Sequence, residues 1–237
     1  MTETSSSASG KLSADEVYQV LRQRIIDHSL PPATRINIVQ IAHELGVSAT
    51  PVREALRLLQ GDNLLVAVSN KGYATTEVLN ADGVRSLFEF RLLLEPWAAA
   101  VASTQRLSNP AHALKREIAA FDRQSPSVRE AMISHDSRFH LTIVEATGNP
   151  LVIQAYRQSN CHVHLFRVIQ HSWDWQRSID EHQTIAEAIA AADATAAEAA
   201  MRAHLLSAFE GFMALLPDST AAPSFTPPGP ARMISGS

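Results

Sequence analysis

The chain has 237 residues, 46% of them hydrophobic, and a formal net charge of −4. That apolar content supplies a core without staples, and the one cysteine, Cys161, excludes both an intramolecular disulfide framework and a Cys-based zinc site. The start MTETSSSASG lacks the features of a signal peptide and no run reaches the roughly 18 apolar residues of a membrane span, so a reducing cytoplasm and no membrane partner are expected.

Residues 1–12 are rich in Ser and Thr and predict a disordered tail. The first helix opens at Ser13, whose hydroxyl caps while Glu16 reaches back; Val17, Leu21 and Ile25 mark its buried stripe, and Pro31 and Pro32 end it. A second helix spans about Val39 to Leu45 and stops at Gly46, a natural C′ residue. Ser48 caps a third helix ending near Gln60, with Pro51 in its first turn, where a missing N–H costs little. Two helices joined through Gly46-Val47-Ser48 have the spacing of a helix-turn-helix. With Val52, Ala55, Leu56 and Leu59 facing inward, Thr50, Arg53 and Arg57 lie on the opposite face, where they can enter a major groove. The segments Leu64–Val68 and Tyr73–Glu77 then flank Ser69-Asn70-Lys71-Gly72, a hairpin with a cation at its tip. The alternative is an ordinary helical subdomain with solvated arginines; a wing directly after the third helix favours a winged helix-turn-helix over residues 13–79. The acidic net charge gives this reading no help, so it rests on where individual charges sit.

From Asn80 the pattern predicts six helices: Ala81–Ser103, Pro110–Arg123, Pro126–Ala146, Pro150–His171, Ile179–Ala191 and Ala194–Leu216. The fold class is therefore mainly α, a winged helix-turn-helix followed by an all-α antiparallel bundle over 80–216, with a second disordered tail over 217–237. Within the apolar stripes sit four polar side chains. Asp136 and His140 share the face of Met132, Phe139 and Ile143; His182 joins Ile185, Ala186 and Ile189; His204 joins Met201, Leu205, Ala208 and Phe212. A buried ionised Asp is costly unless paired or metal-bound, and neutral imidazole is the commonest metal ligand, so these four predict one divalent metal site. The alternative is a metal-free cluster of carboxylate–histidine hydrogen bonds. Zinc is the first candidate, with nickel, iron or manganese as the others. Asn160, His164, Arg167 and His171 form another polar stripe, read as a solvated face before a cavity wall. Trp173 and Trp175 read as packing residues near the following turn.

LPPATRINIVQIAHELGVSATPVREALRLLQGDNLL, followed by SNKGY, resembles the GntR family of bacterial regulators. DSRFHLTIVEATGNP, EHQTIAEAIAAAD and AMRAHL resemble its FadR-type C-terminal, or FCD, ligand-binding domain, extending the likeness to about Leu216. The resemblance implies DNA contacts from Ser48, Thr50 and Arg53 and a minor-groove approach by Lys71 and Gly72. With Pro51 and Arg57 from the helix pattern, these make the candidate DNA-binding set. It also implies a metal held by one Asp and three His, here Asp136, His140, His182 and His204, and an arginine facing the effector cavity, here Arg91. A cation beside an open metal fits a small carboxylate effector, with Arg167 and Asn160 as further effector-binding candidates; an Arg91–Glu95 ion pair is the alternative role for Arg91. Two departures stand out. Ala49 occupies the place of a usual arginine, which in such a position reads guanine by a bidentate contact of roughly 1–3 kcal/mol; Ile38 and Val39 replace a usual acidic–basic pair. The implied protein is a homodimeric, effector-responsive regulator, usually a repressor in this family, acting on a double-stranded DNA operator. A metal-dependent enzyme using the Asp/His centre, or a bundle with a purely structural metal, are the rivals, and the wing argues against both.

Overall fold

A computed structural model describes residues 12–69, 72–105, 108–122, 124–125, 127–169 and 173–216. Of the expected tails over 1–12 and 217–237 only Leu12 is among the described residues, and Asn70 and Lys71 of the expected hairpin turn and His171 also lie outside them. The fold is mainly α, and the chain divides into two units between Glu77 and Val78.

In the first unit α1 (Ala14–Ile26) starts with the expected reciprocal cap, in which Glu16 N–H donates to Ser13 Oγ (3.2 Å) and Ser13 N–H to Glu16 Oε2 (2.7 Å). It ends sooner than the prolines suggest. His28 takes a left-handed conformation (φ 65°) and the Asp27 side chain accepts from Ser29 N–H, so the helix has stopped before Pro31. Asn37 caps α2 (Ile38–Glu44), accepting from Val39 and Gln40 N–H at 3.1 Å each. Gly46 at φ 65° closes that helix: its N–H reaches His43 O and Val47 N–H reaches Ala42 O, the paired bonds of a Schellman end. In α3 (Ala49–Gly61) Ser48 holds the N-cap position, but its side chain makes no capping bond, contrary to expectation. Val52, Ala55, Leu56 and Leu59 are buried against α1. β1 (Leu65–Val68) and β2 (Gly72–Thr75) pair antiparallel, Leu65 opposite Thr75. A third segment the sequence did not announce joins the sheet: Ile36 N–H donates to Tyr73 O and Thr75 N–H to Thr34 O. The buried Thr75 hydroxyl donates to Pro31 O (2.6 Å) and accepts from Thr34 N–H (2.8 Å), tying this segment to the wing.

The second unit contains α4 (Ala81–Thr104), α5 (Ala111–Ala119), α6 (Val128–Glu145), α7 (Pro150–Ser159), α8 (Cys161–Val168), α9 (Trp175–Ala190) and α10 (Ala194–Ala214). The single helix expected over 150–171 is two, because Asn160 adopts φ 47° and resets the helical phase. α9 begins four residues earlier than expected, capped by Asp174, whose side chain accepts from Arg177 N–H. α4 packs lengthwise on α10, with Phe88 meeting Phe209 and Phe212 at 5.5 and 5.8 Å. Each such buried ring contributes about 1.5–3 kcal/mol. α9 packs on α10 and α4, and α6 on α4, so the inner faces of four helices converge on one interior region.

Candidate metal centre, effector cavity and nucleic-acid face

That interior region is polar. Asp136 and His140 from α6, His182 from α9 and His204 from α10 are all buried, and one donor atom from each lies within 4.8 Å of all the others. Asp136 Oδ1 stands 3.4 Å from His182 Nε2 and 3.6 Å from His140 Nε2.

The outward nitrogens explain why the inward ones converge. His140 Nδ1 lies 2.6 Å from Glu95 Oε2, and His204 Nδ1 lies 2.8 Å from Glu181 Oε2. A carboxylate only accepts, so in both rings Nδ1 carries the proton and a neutral ring keeps its Nε2 lone pair for the centre. His182 Nδ1 faces His135 Nε2 at 2.9 Å, and His182 Nε2 is a buried nitrogen with no hydrogen-bond partner among the described residues. A buried ring nitrogen aimed at a carboxylate and two more imidazoles, and satisfied by none of them, fits a metal ligand and leaves a purely hydrogen-bonded cluster incomplete.

Electrostatics point the same way. Burial, then His204 and His140, hold His182 well below the usual histidine range, and burial lowers His204 as well, so both are neutral and ready to coordinate near neutral pH. Burial pushes the Asp136 carboxyl up, but His162 and His140 outweigh it and keep Asp136 ionised. His162, which the sequence reading passed over, binds Asp136 Oδ2 through Nδ1 at 2.5 Å and meets the Tyr156 hydroxyl through Nε2 at 2.8 Å. It thereby turns Oδ1 toward the three histidines. Glu95, Cys161 and His162 also cluster, but Glu95 already accepts from Arg91 and Tyr156, and both His162 nitrogens are engaged. Those donors support the first centre.

Arg91 is 2% exposed and forms the ion pair with Glu95, Nε to Oε1 at 2.6 Å. It nevertheless lines a cavity of about 20 Å³ together with Asp136, His204, Phe166, Trp173 and Phe212. Trp173, Ser178 and Ala208 also border a larger outer cleft of about 210 Å³ that includes Arg177, Glu181 and Gly211. Asn160 lines a different cleft, with Tyr156, Cys161 and His162, and Arg167 is 1% exposed, so it belongs to no solvated face; neither residue lines the Arg91 cavity. The half-buried His164 is also withdrawn from water, which with nearby Arg167 lowers it to about 4.

In the first unit Ser48, Thr50, Arg53 and Arg57 are exposed at the start and along one side of α3, and Pro51 is half-buried. Arg53 and Arg57 take part in no ion pair found among the described residues. Gly72 is exposed at φ 84°, a conformation in which a side chain would be strained. Ala49 fills the first helical position, and Val39 is 76% exposed where the resemblance leads one to expect a charge.

Comparison with known proteins places both units. Residues 13–74 match the bacterial regulatory proteins of the gntR family, and residues 86–207 match the FCD domain. The Uxu operon transcriptional regulator of Escherichia coli (strain K12) is 30% identical over 229 residues, covering 84% of this chain and 86% of that protein. The Nta operon transcriptional regulator of Aminobacter aminovorans is 28% identical over 195 residues, covering 81% and 90%. A GntR-type regulator from Rhodococcus sp. RHA1 shares the fold with a TM-score of 0.67 at 23% identity, over 85% of this chain and 97% of that one. No helix among the described residues is long and apolar enough to cross a membrane. With a DNA-binding unit and an effector-type unit matched in order along one sequence, the chain is a transcription regulator rather than an enzyme and belongs to the GntR family, in the group that carries an FCD domain.

Proposed function

We propose that this regulator is a homodimeric repressor that senses a small carboxylate bound beside a divalent metal, zinc first, held by Asp136, His140, His182 and His204. The observation that carries the reading is the arrangement of the three rings, two with Nδ1 fixed outward on a carboxylate and the third leaving Nε2 unsatisfied in the interior. The metal supplies a Lewis-acidic anchor for an anion. Arg91, in the wall of the same cavity, supplies a fixed positive charge, and Asp136 and His204 border the space the anion would enter. Binding changes operator affinity only if the carboxylate prefers one arrangement of the dimer over the other. In the DNA-binding unit, Ser48, Thr50, Pro51, Arg53 and Arg57 form the major-groove contact, with Lys71 and Gly72 in the wing.

One observation favours a purely structural metal instead. The inner cavity of about 20 Å³ holds no more than a water, so a carboxylate requires Trp173 to move. Metal affinity measured with and without a panel of small carboxylates separates the two readings. Coupling is reciprocal, so an effector must tighten metal binding by the factor by which metal tightens effector binding. No change across the panel leaves the metal structural; no metal by elemental analysis in the purified chain or after loading removes the centre altogether.

A further inference from the structure

Resting on the metal reading above, we infer that His135 and Glu117 form a positioning chain that locks His182 into its metal-binding tautomer, so that a carboxylate at the protein surface sets the strength of the buried centre. Two of the three histidines in the centre lean directly on an acid, His140 on Glu95 and His204 on Glu181. His182 does not. Its Nδ1 meets the Nε2 of His135, a ring that is 1% exposed and sits between Phe121 and Phe139. The other His135 nitrogen, Nδ1, lies 3.3 Å from Glu117 Oε1, an ion-pair contact not aligned as a hydrogen bond. Glu117 stands on α5 at the rim of an open groove and is gripped from the far side by Arg138, whose Nε and Nη2 donate to its two oxygens at 2.9 and 2.8 Å.

The direction of this chain follows from what each group can do. Glu117 is acceptor-only, so the His135 proton rests on Nδ1, facing it. A neutral His135 then presents a bare Nε2, which accepts from His182 Nδ1–H. His182 in turn keeps its Nε2 lone pair on the side of Asp136. An imidazole thus relays to His182 the orientation that a carboxylate gives the other two rings. Phe139, stacked on His182 at 4.0 Å and 10°, holds the ring plane but cannot choose the tautomer. His135 contributes no donor to the four-residue cluster, and the nitrogen it turns toward the centre meets His182 Nδ1, so its role is positional.

The test uses the full chain loaded with cobalt(II), read by competition against a chromophoric chelator and by the visible absorption of the bound ion. Outer-sphere partners of this kind are worth about 10- to 100-fold in metal affinity. His135→Leu keeps volume and loses the acceptor, whereas His135→Gln retains an acceptor for His182 Nδ1–H. The expected result is a loss of about 10- to 100-fold and an altered spectrum for His135→Leu, recovery of most of the affinity in His135→Gln, and an intermediate loss for Glu117→Gln. Glu117→Gln changes a partly exposed side chain and so leaves an informative variant even where the buried replacements fold poorly. Equal affinity for Leu and Gln at 135, or wild-type affinity and spectrum in Glu117→Gln, overturns the inference. A wild-type chain that takes up no cobalt overturns the metal reading itself, and this inference with it.

Discussion

Replacing Glu95 with glutamine tests whether the second unit is organised around buried charge. The Glu95 carboxylate, 0% exposed, accepts from Arg91 Nε (2.6 Å) and Nη2 (3.3 Å), from His140 Nδ1 (2.6 Å) and from the Tyr156 hydroxyl (2.9 Å). Glutamine keeps the shape and removes the charge, leaving the buried Arg91 guanidinium without its counter-ion. Breaking one side of such a pair costs about 3–5 kcal/mol. The glutamine NH2 must also face one of these donors, and the penalty for that unsatisfied group, about 1–3 kcal/mol, overlaps the first figure rather than adding to it. For a unit of this size about 3–5 kcal/mol corresponds to a fall of roughly 6–20 °C in Tm, measured by calorimetry on metal-free protein. Arg91→Met/Glu95→Gln, which buries no uncompensated charge, is expected to melt above Glu95→Gln alone. Burial raises the Glu95 carboxyl, but Arg91 and His140 overcome it and hold it far below 4.5; its contribution is therefore present above about pH 4.5 and lost as pH falls toward the folded value. Glu95→Gln lacks that acid limb. A glutamine variant melting within about 1 °C of wild type would refute the reasoning, because a lost buried counter-ion cannot be that cheap.

Arg53→Ala is expected to lower specific operator affinity by at least 10-fold while leaving metal content and helicity unchanged, as read by fluorescence anisotropy and circular dichroism; unaltered affinity removes α3 as the reading helix. His164, lowered to about 4 from 6.5, stays neutral in the fold while the unfolded chain takes up a proton first, so its contribution is complete above about pH 6.5 and declines as pH falls from there to about 4. Urea unfolding at pH 7 and pH 5 should show a smaller drop for His164→Gln than for wild type, and identical drops count against the burial argument. Gly211→Ala brings a Cβ within 2.8 Å of Trp173 Cη2, which forces the indole off its seat. Helix propensity gains about 1 kcal/mol and Trp173 loses packing, so stability changes little while tryptophan emission shifts to the red; an unchanged spectrum means Trp173 is not seated there.

Local chemistry was readable from the sequence. Ser13 with Glu16 announced a capping box and Gly46 a left-handed C′ residue, because each depends on neighbours a few positions away. The four polar residues of the centre were readable for a similar reason: each interrupts an apolar stripe at helical spacing, and the structure brings them together. What escaped depends on contacts between distant elements. Asn160 in a left-handed conformation cannot be told from a helical Asn by periodicity, and reading through it as one helix drew Asn160, His164, Arg167 and His171 into one polar stripe and passed over His162. His135 precedes Asp136 and reads as a neighbour one step around the helix; only the side chain of His182, reaching in from α9, turns it into a partner. The Thr34–Ile36 pairing with the wing has no signature of its own, since it lies between two prolines and a helix cap.

The charges at the centre bear on the anionic effector proposed above. Without metal the interior is close to balanced: Arg91 faces Glu95, and Asp136 faces His162, which Cys161 and Asp136 raise against the effect of burial to about 10. A divalent ion brings two further positive units into that space, where Glu95 and Asp136 are already matched and Glu181, on His204, is shared with Arg177. The excess must be relieved by proton loss from a neighbouring group, by bound hydroxide or by an incoming anion. Of these, an incoming carboxylate would also meet Arg91, once Trp173 has moved to open the space walled by Phe166 and Phe212. On the proposed reading a neutral amide analogue, with the same shape but no charge, should bind more weakly than the acid whichever divalent metal is held, and equal binding of the two would remove charge balance as the basis of selection.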